Sequence, residues 1–160
     1  WGTQLLDAMD SYLSKSEVYS HVQFYDSRVL AAIDEALSEE SEIHQQFLSG
    51  GIERAVTALQ KLESDPFDVL AFSVGGTIAW KAALEGVKIN RLMAVSATRL
   101  RLETRKPAID ITLIYGDLDY HAPDDSWFSK MEITPIIVDK QGHDLYRDQF
   151  IAAPTLKVLT

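Results

Sequence analysis

Four short apolar stretches restrict most sharply what this chain can fold into: Phe67 to Phe72 (FDVLAF), Arg91 to Ser96 (RLMAVS), Ile111 to Tyr115 (ITLIY) and Pro135 to Val138 (PIIV). The last three are apolar at nearly every position instead of every second one, the pattern of strands buried on both faces of a parallel sheet. Parallel neighbours need a crossover between them, usually a helix. The intervening sequence supplies helical periodicity. Ile52, Ala55, Val56, Leu59 and Leu62 form a stripe that starts after Gly50-Gly51 and stops near Ser64-Asp65-Pro66, while Thr77 to Glu85 carries Ile78, Ala79, Ala82 and Ala83, small enough to pack closely on a sheet. The chain of 160 residues is the size of one domain, so residues 1–160 are read as a single α/β unit. Its expected architecture is three-layered, a mostly parallel sheet with helices on both faces.

Upstream, Leu5, Leu6, Met9, Tyr12 and Leu13 predict an amphipathic helix behind Thr3, His21 to Tyr25 (HVQFY) predicts a strand, and the acidic stretch Leu30 to Phe47 predicts a solvated helix or helix pair. Fifteen Lys and Arg against twenty-four Asp and Glu leave a net charge of −9, which argues against nucleic acid and anionic membrane as partners. The absence of cysteine excludes a disulfide framework, thiolate metal sites and a cysteine nucleophile. No apolar run reaches the ~20 residues of a membrane span and no signal-peptide layout opens the chain, so the expected location is cytoplasmic. The chain starts at Trp1 instead of methionine, which leaves room for a trimmed upstream segment. His21 and His44 lack partners at metal-ligand spacing, and neither a Gly-x-Gly-x-x-Gly nor a Walker pattern is present, so no metal or nucleotide cofactor is expected. Trp80, Trp127 and Phe128 read as core or pocket wall.

In parallel sheets ligands bind beyond the carboxyl ends of the strands, so the residues just after each strand carry the functional signal. Ser73 follows the first of the four strands inside Ala71-Phe72-Ser73-Val74-Gly75-Gly76. A nucleophile on a sharp strand-to-helix turn needs small neighbours two residues to either side, and Ala71 and Gly75 provide them. The same turn places the Val74 amide at a helix N-terminus, where it could meet a developing oxyanion. An equally weighted alternative is a glycine-rich turn with Ser73 as a helix cap. After the third strand comes Gly116-Asp117-Leu118-Asp119-Tyr120-His121, with two carboxylates in a turn that could also be purely structural. Gln141-Gly142-His143-Asp144 follows the fourth, with Gly142 expected to let the loop turn inward. A serine hydroxyl is a poor nucleophile until an imidazole accepts its proton, and a buried carboxylate fixes the tautomer of that imidazole. Ser73, then an Asp, then His143 is the set this chemistry requires.

With this chain order and strand–serine–helix turn, the sequence resembles the α/β-hydrolase family. The resemblance implies a small serine hydrolase with Ser73 as nucleophile, His143 as general base and acid, and Asp119 as orienting acid; Asp117 is the reserve and His121 a minor competitor of His143. IYGDLDYHAP looks like the family's acid loop and QGHD like its histidine loop. Trp1-Gly2 resembles the end of the oxyanion loop, which makes the Trp1 amide a second donor beside Val74. In the family glycine is commoner where Ala71 stands, although either is small enough, and a central strand lies upstream of the position of Trp1, between the strands matching His21 to Tyr25 and Phe67 to Phe72; such a strand is therefore expected in the natural protein. Only Ala97 to Asp110 separates the second and third of the four strands, too little for a lid domain, so an open pocket is expected. That loop holds Arg99, Arg101, Arg105 and Lys106, read either as a solvated basic loop or as recognition of a carboxylate or phosphate by Arg99 and Arg101. The implied partner is a small-molecule ester or thioester. The rival readings are a non-catalytic binding protein on the same fold, and a serine peptidase or acyltransferase.

Overall fold

Pro66 has no amide to give a ladder, and directly after it the chain enters β1 (Phe67–Phe72). In the computed structural model, which describes Tyr19 and residues 21–147, the elements follow in the order α1 (Ser27–Leu30), α2 (Glu40–Gln46), α3 (Ile52–Leu62), β1, α4 (Val74–Leu84), β2 (Ile89–Val95), β3 (Asp110–Gly116), α5 (Asp125–Met131) and β4 (Ile136–Val138). The helix expected over Leu5 to Leu13 and the donor expected at Trp1 lie outside the described residues. The strands form one parallel sheet in the order β1-β2-β3-β4, with Ala71 beside Ala94, Ala94 beside Leu113 and Tyr115 beside Ile137.

Alternation along the strands divides the core between two faces. Leu92, Ala94, Leu113 and Tyr115 join α3, α4 and α5 in the larger cluster, with Trp80, Trp127 and Phe128 at its centre. Met93, Val95 and Ile114 point to the other face, closed among the described residues by Leu145 and Tyr146 of the short turn Leu145–Arg147. The helices described here serve the first face. Each large aliphatic side chain so buried contributes about 1.5–3 kcal/mol, so the two-sided burial read in RLMAVS and ITLIY stabilises the sheet from both faces.

Helix α3 buries Ile52, Ala55, Val56 and Leu59, while Leu62 at its end is exposed. A turn at Phe47–Gly51 precedes it, in which Gly50 takes φ 89°, a conformation that suits glycine. Helix α5 has no counterpart among the predicted elements. Its start is nevertheless written in the sequence, because Asp124 Oδ1 accepts the amide of Trp127 at 2.8 Å as an N-cap.

His21 to Tyr25 is not a strand. The segment runs in irregular conformation along the surface, tied down by hydrogen bonds from Tyr19 Oη to Asp68 at 2.9 Å and from Tyr25 Oη to Glu63. Alternating β-branched and aromatic residues favour a strand only where a neighbour accepts the ladder, and no described residue pairs with the far side of β1.

Candidate active site

The sharp turn after β1 is a consequence of crowding as well as chain direction. Ser73 holds φ 49° and ψ −124°, a conformation a non-glycine residue adopts only when its surroundings impose it. Its amide donates to Val95 O at 3.1 Å, and its carbonyl accepts from Thr98 N at 3.2 Å, so the turn is clamped to the segment following β2. The glycine this packing demands is Gly76, not Gly75: a Cβ at Gly76 would lie 2.5 Å from the Ala97 Cβ, whereas at Gly75 the nearest contacts are 3.4 Å and 3.8 Å.

The two readings of Ser73 are separable by its hydroxyl, which does not cap helix α4. Ser73 Oγ lies 3.1 Å from His143 Nε2, and His143 Nδ1 lies 3.2 and 3.3 Å from the two carboxylate oxygens of Asp119. Donation from Nδ1–H to the carboxylate leaves Nε2 as an acceptor for the Ser73 hydroxyl, the tautomer that proton transfer from serine needs. The structure thus gathers Ser73, Asp119 and His143 from the ends of β1, β3 and β4. The His143 side chain stays 23% exposed while that of Asp119 is fully covered. Val74 is the first residue of α4, and its amide therefore has no intrahelical acceptor.

Asp117 has a different task. It is exposed, and its Oδ1 accepts the amide of Gln141 at 3.2 Å while its own amide donates to Val138 O at 3.1 Å, which ties the acid loop to the histidine loop. His121 does not compete for the carboxylate with its ring: its amide donates to Asp119 Oδ1 at 2.9 Å, and its ring packs edge-on against His143 with centroids 4.6 Å apart. The inward course of the histidine loop is not due to Gly142, which has no positive φ and whose would-be Cβ meets only Asp144 Oδ1 at 3.7 Å; Lys140, at φ 58°, makes the turn.

Burial pushes the Asp119 carboxyl up, but hydrogen bonds from His143 and the His121 amide, the charge of His143 and the nearby Ser96 hydroxyl outweigh it and hold the group below its ordinary value. Burial, joined by repulsion from His143, also lowers His121 against the attraction of Asp119. In both cases the unfolded chain binds protons more readily, so stability increases with pH across these titrations. The His121 contribution should be complete above the ordinary imidazole value of 6.5 and fade as acid protonates the folded form; that of Asp119 should be complete above the ordinary carboxyl value of 3.8 and vanish lower still. Thermal melts between pH 8 and 3 should show a falling midpoint. His121→Asn, which keeps the amide, should flatten the upper part of that fall.

The loop between β2 and β3 is fixed from beneath by the tryptophans. Trp80 Nε1 donates to Arg105 O at 3.1 Å, Trp127 Nε1 to Glu103 O at 2.9 Å, and the two rings pack at 5.8 Å. Arg101, exposed, donates from Nη1 to His121 O at 3.3 Å, which brings the loop against the acid loop. Arg99 is half-buried at φ 66° and follows Thr98, the residue bonded to Ser73 O. Lys106 is turned away to Glu132 O.

No family model matches the chain, and no curated protein does. Solved structures do. An α/β serine hydrolase homologue from Coxiella burnetii aligns at TM-score 0.61 and 14% identity over 99% of this chain and 77% of that one. An α/β serine hydrolase without a lid from Xanthomonas campestris aligns at TM-score 0.52 and 16% identity, over 98% and 72%. A protein taken to be a YdeN-like hydrolase from Pectobacterium atrosepticum aligns at TM-score 0.57 and 15% identity over 68% of this chain, and the match spans 66% of that protein. The chain has a small α/β-hydrolase fold, as the order of its strands and strand-end residues leads one to expect. No helix among the described residues is long and apolar enough to cross a membrane.

Proposed function

We propose that this chain is a serine hydrolase that cleaves a small carboxylic ester or thioester through an acyl-enzyme. The observation that carries the reading is the hydrogen-bonded line from Asp119 through His143 to a serine hydroxyl that leaves its own helix uncapped. Ser73 Oγ attacks the acyl carbon as His143 Nε2 takes its proton, and Asp119 stabilises the imidazolium that forms. The carbonyl oxygen becomes an oxyanion received by the Val74 amide at the head of α4, with Trp1 proposed as the second donor. His143 then returns the proton to the leaving alcohol or thiol. Water repeats the sequence on the acyl-enzyme and frees Ser73. No step calls for a cofactor, and the substrate is a soluble small molecule of the cytoplasm.

A fluorophosphonate probe tests the reading directly, with peptide mapping of the adduct and a panel of short-chain esters and thioesters alongside. Labelling at Ser73 and turnover of at least one acyl class are expected. Folded protein that takes up no probe and hydrolyses none of the panel returns the chain to a non-catalytic binding role.

Arg99 and Arg101 are the proposed contacts for an anionic group on the substrate, since they flank the serine turn and the acid loop. Arg99→Gln and Arg101→Gln should each slow hydrolysis of an ester bearing a carboxylate about tenfold while sparing its neutral analogue. Equal losses on both esters would assign the loop a structural role only.

A further inference from the structure

Between the strand that leads to Ser73 and the strand that leads to Asp119 lies β2, and the residue that follows it has no role so far. That residue is Ser96, directly after Val95, the last residue of β2. It is completely buried, and it keeps φ 50°, an unfavourable conformation for serine. Its amide donates to Ile114 O at 2.8 Å, while its hydroxyl is the one buried side-chain polar atom among the described residues without an aligned hydrogen bond. A sealed hydroxyl with no partner is costly, and so is a left-handed serine; together at one strand end they need a compensating function.

The surrounding contacts make the position rigid. Tyr115 Oη donates to Ala97 O at 2.9 Å, Thr98 N reaches Ser73 O, and Thr77 Oγ1 donates to Thr98 O, so the residues following Ser96 cannot drift. The Asp119 carboxylate has capacity left: Oδ1 takes the His121 amide, both oxygens face His143 Nδ1, and Oδ2 receives no other donor among the described residues. Hydroxyl hydrogens rotate freely, and hydrogen bonds of a resting site often tighten only as charge develops.

We propose that Ser96 is a positioning residue whose hydroxyl donates to Asp119 and holds the carboxylate in line with His143 Nδ1 as the imidazolium forms. The inference rests on the serine-hydrolase reading above for its catalytic consequence, but the contact itself is testable without turnover. A side-chain hydrogen bond from Ser96 is the smallest of the causes that lower the Asp119 carboxyl, although no aligned bond joins the two groups in the resting geometry. The other titratable or charged groups around that carboxylate are His143 on the opposite loop, His121 on its own loop, Tyr115 on β3, and Arg101 from the basic loop.

The experiment compares wild type with Ser96→Ala, and with Ser96→Gly, for which the left-handed backbone is unstrained. In Ser96→Ala the carboxyl titration of Asp119, followed by ¹³C NMR, should move up by roughly half a unit to one unit, and the melting temperature should fall. The acid limb of fluorophosphonate labelling should move to higher pH in the same direction, with the plateau rate down about tenfold. Ser96→Gly should reproduce the titration shift. An unchanged Asp119 titration together with a higher melting temperature, the signature of removing an orphan hydroxyl, would overturn the proposal. Unlabelled wild type would instead overturn the serine-hydrolase reading, and the NMR titration would still decide whether Ser96 donates to Asp119.

Discussion

Ser73→Ala and His143→Ala should each lower acyl transfer about 10⁶-fold, to the level left by substrate binding and oxyanion contacts alone. The double variant should be scarcely worse than either single one. The reason lies in the geometry: Ser73 Oγ and His143 Nε2 are joined by one hydrogen bond of 3.1 Å, and a base without its nucleophile, or the reverse, has nothing to act on. Asp119→Asn should cost about 10⁴-fold, because an amide facing Nδ1 no longer enforces the tautomer that leaves Nε2 able to accept a proton. Asp117→Asn separates the two acids of the loop. Its side-chain oxygen can still accept the Gln141 amide, so activity should stay within a few-fold of wild type. Single-turnover kinetics on the best ester of the panel give all five values. Additive losses for Ser73 and His143, or a large loss at Asp117, would contradict the assignment of roles.

What could be read from the sequence was whatever depends on neighbours along the chain. Apolar runs marked all four strands and the residues at their ends, and with them Ser73, Asp119 and His143, but the two-sided burial expected of PIIV fails: β4 lies at the edge of the sheet, with Ile136 and Ile137 exposed. Tertiary proximity was harder to read. His21 to Tyr25 has the composition of a strand, yet a strand exists only with a partner, and none of the described residues supplies one. Gly75 fits the spacing of a serine turn, but the close approach that excludes a side chain falls on Gly76, because Ala97 arrives there from the end of β2. Trp80 and Trp127 show the same limit. Their size marks them as core, while their use as props under Glu103 and Arg105 depends on how the β2–β3 loop folds back. Ser96 gave no local signal at all, since a serine at a strand end is common and only its burial and backbone conformation single it out.

The acid and histidine loops are held in register by a contact that a single methyl group should break. A Cβ at Gly116 would lie 2.0 Å from Gln141 O and 2.4 Å from the carbonyl carbon, and that same carbonyl accepts the Leu118 amide at 2.9 Å. Backbone cannot rotate aside as a side-chain tip can, so Gly116→Ala must push the two loops apart. The expected loss is on the order of 3 kcal/mol, at the upper end of ordinary overpacking. Its distinctive feature is where the damage falls. Asp119 follows the displaced backbone by three residues and His143 by two, so the 3.2 Å contact between carboxylate and imidazole should open even in molecules that remain folded. Activity per folded molecule should then approach that of Asp119→Asn, and the downfield Nδ1 proton of His143 should be lost from the NMR spectrum. Gly142→Ala is the matched control on the same loop: the nearest atom, Asp144 Oδ1, is 3.7 Å from its would-be Cβ and its φ is not left-handed, so stability should change by no more than about 1 kcal/mol, with reduced freedom of the unfolded chain acting in its favour. Equal tolerance at both glycines would mean that the acid and histidine loops find each other without this close approach. A large loss of activity in a fully stable Gly116→Ala protein would show the contact to be a matter of alignment more than of folding.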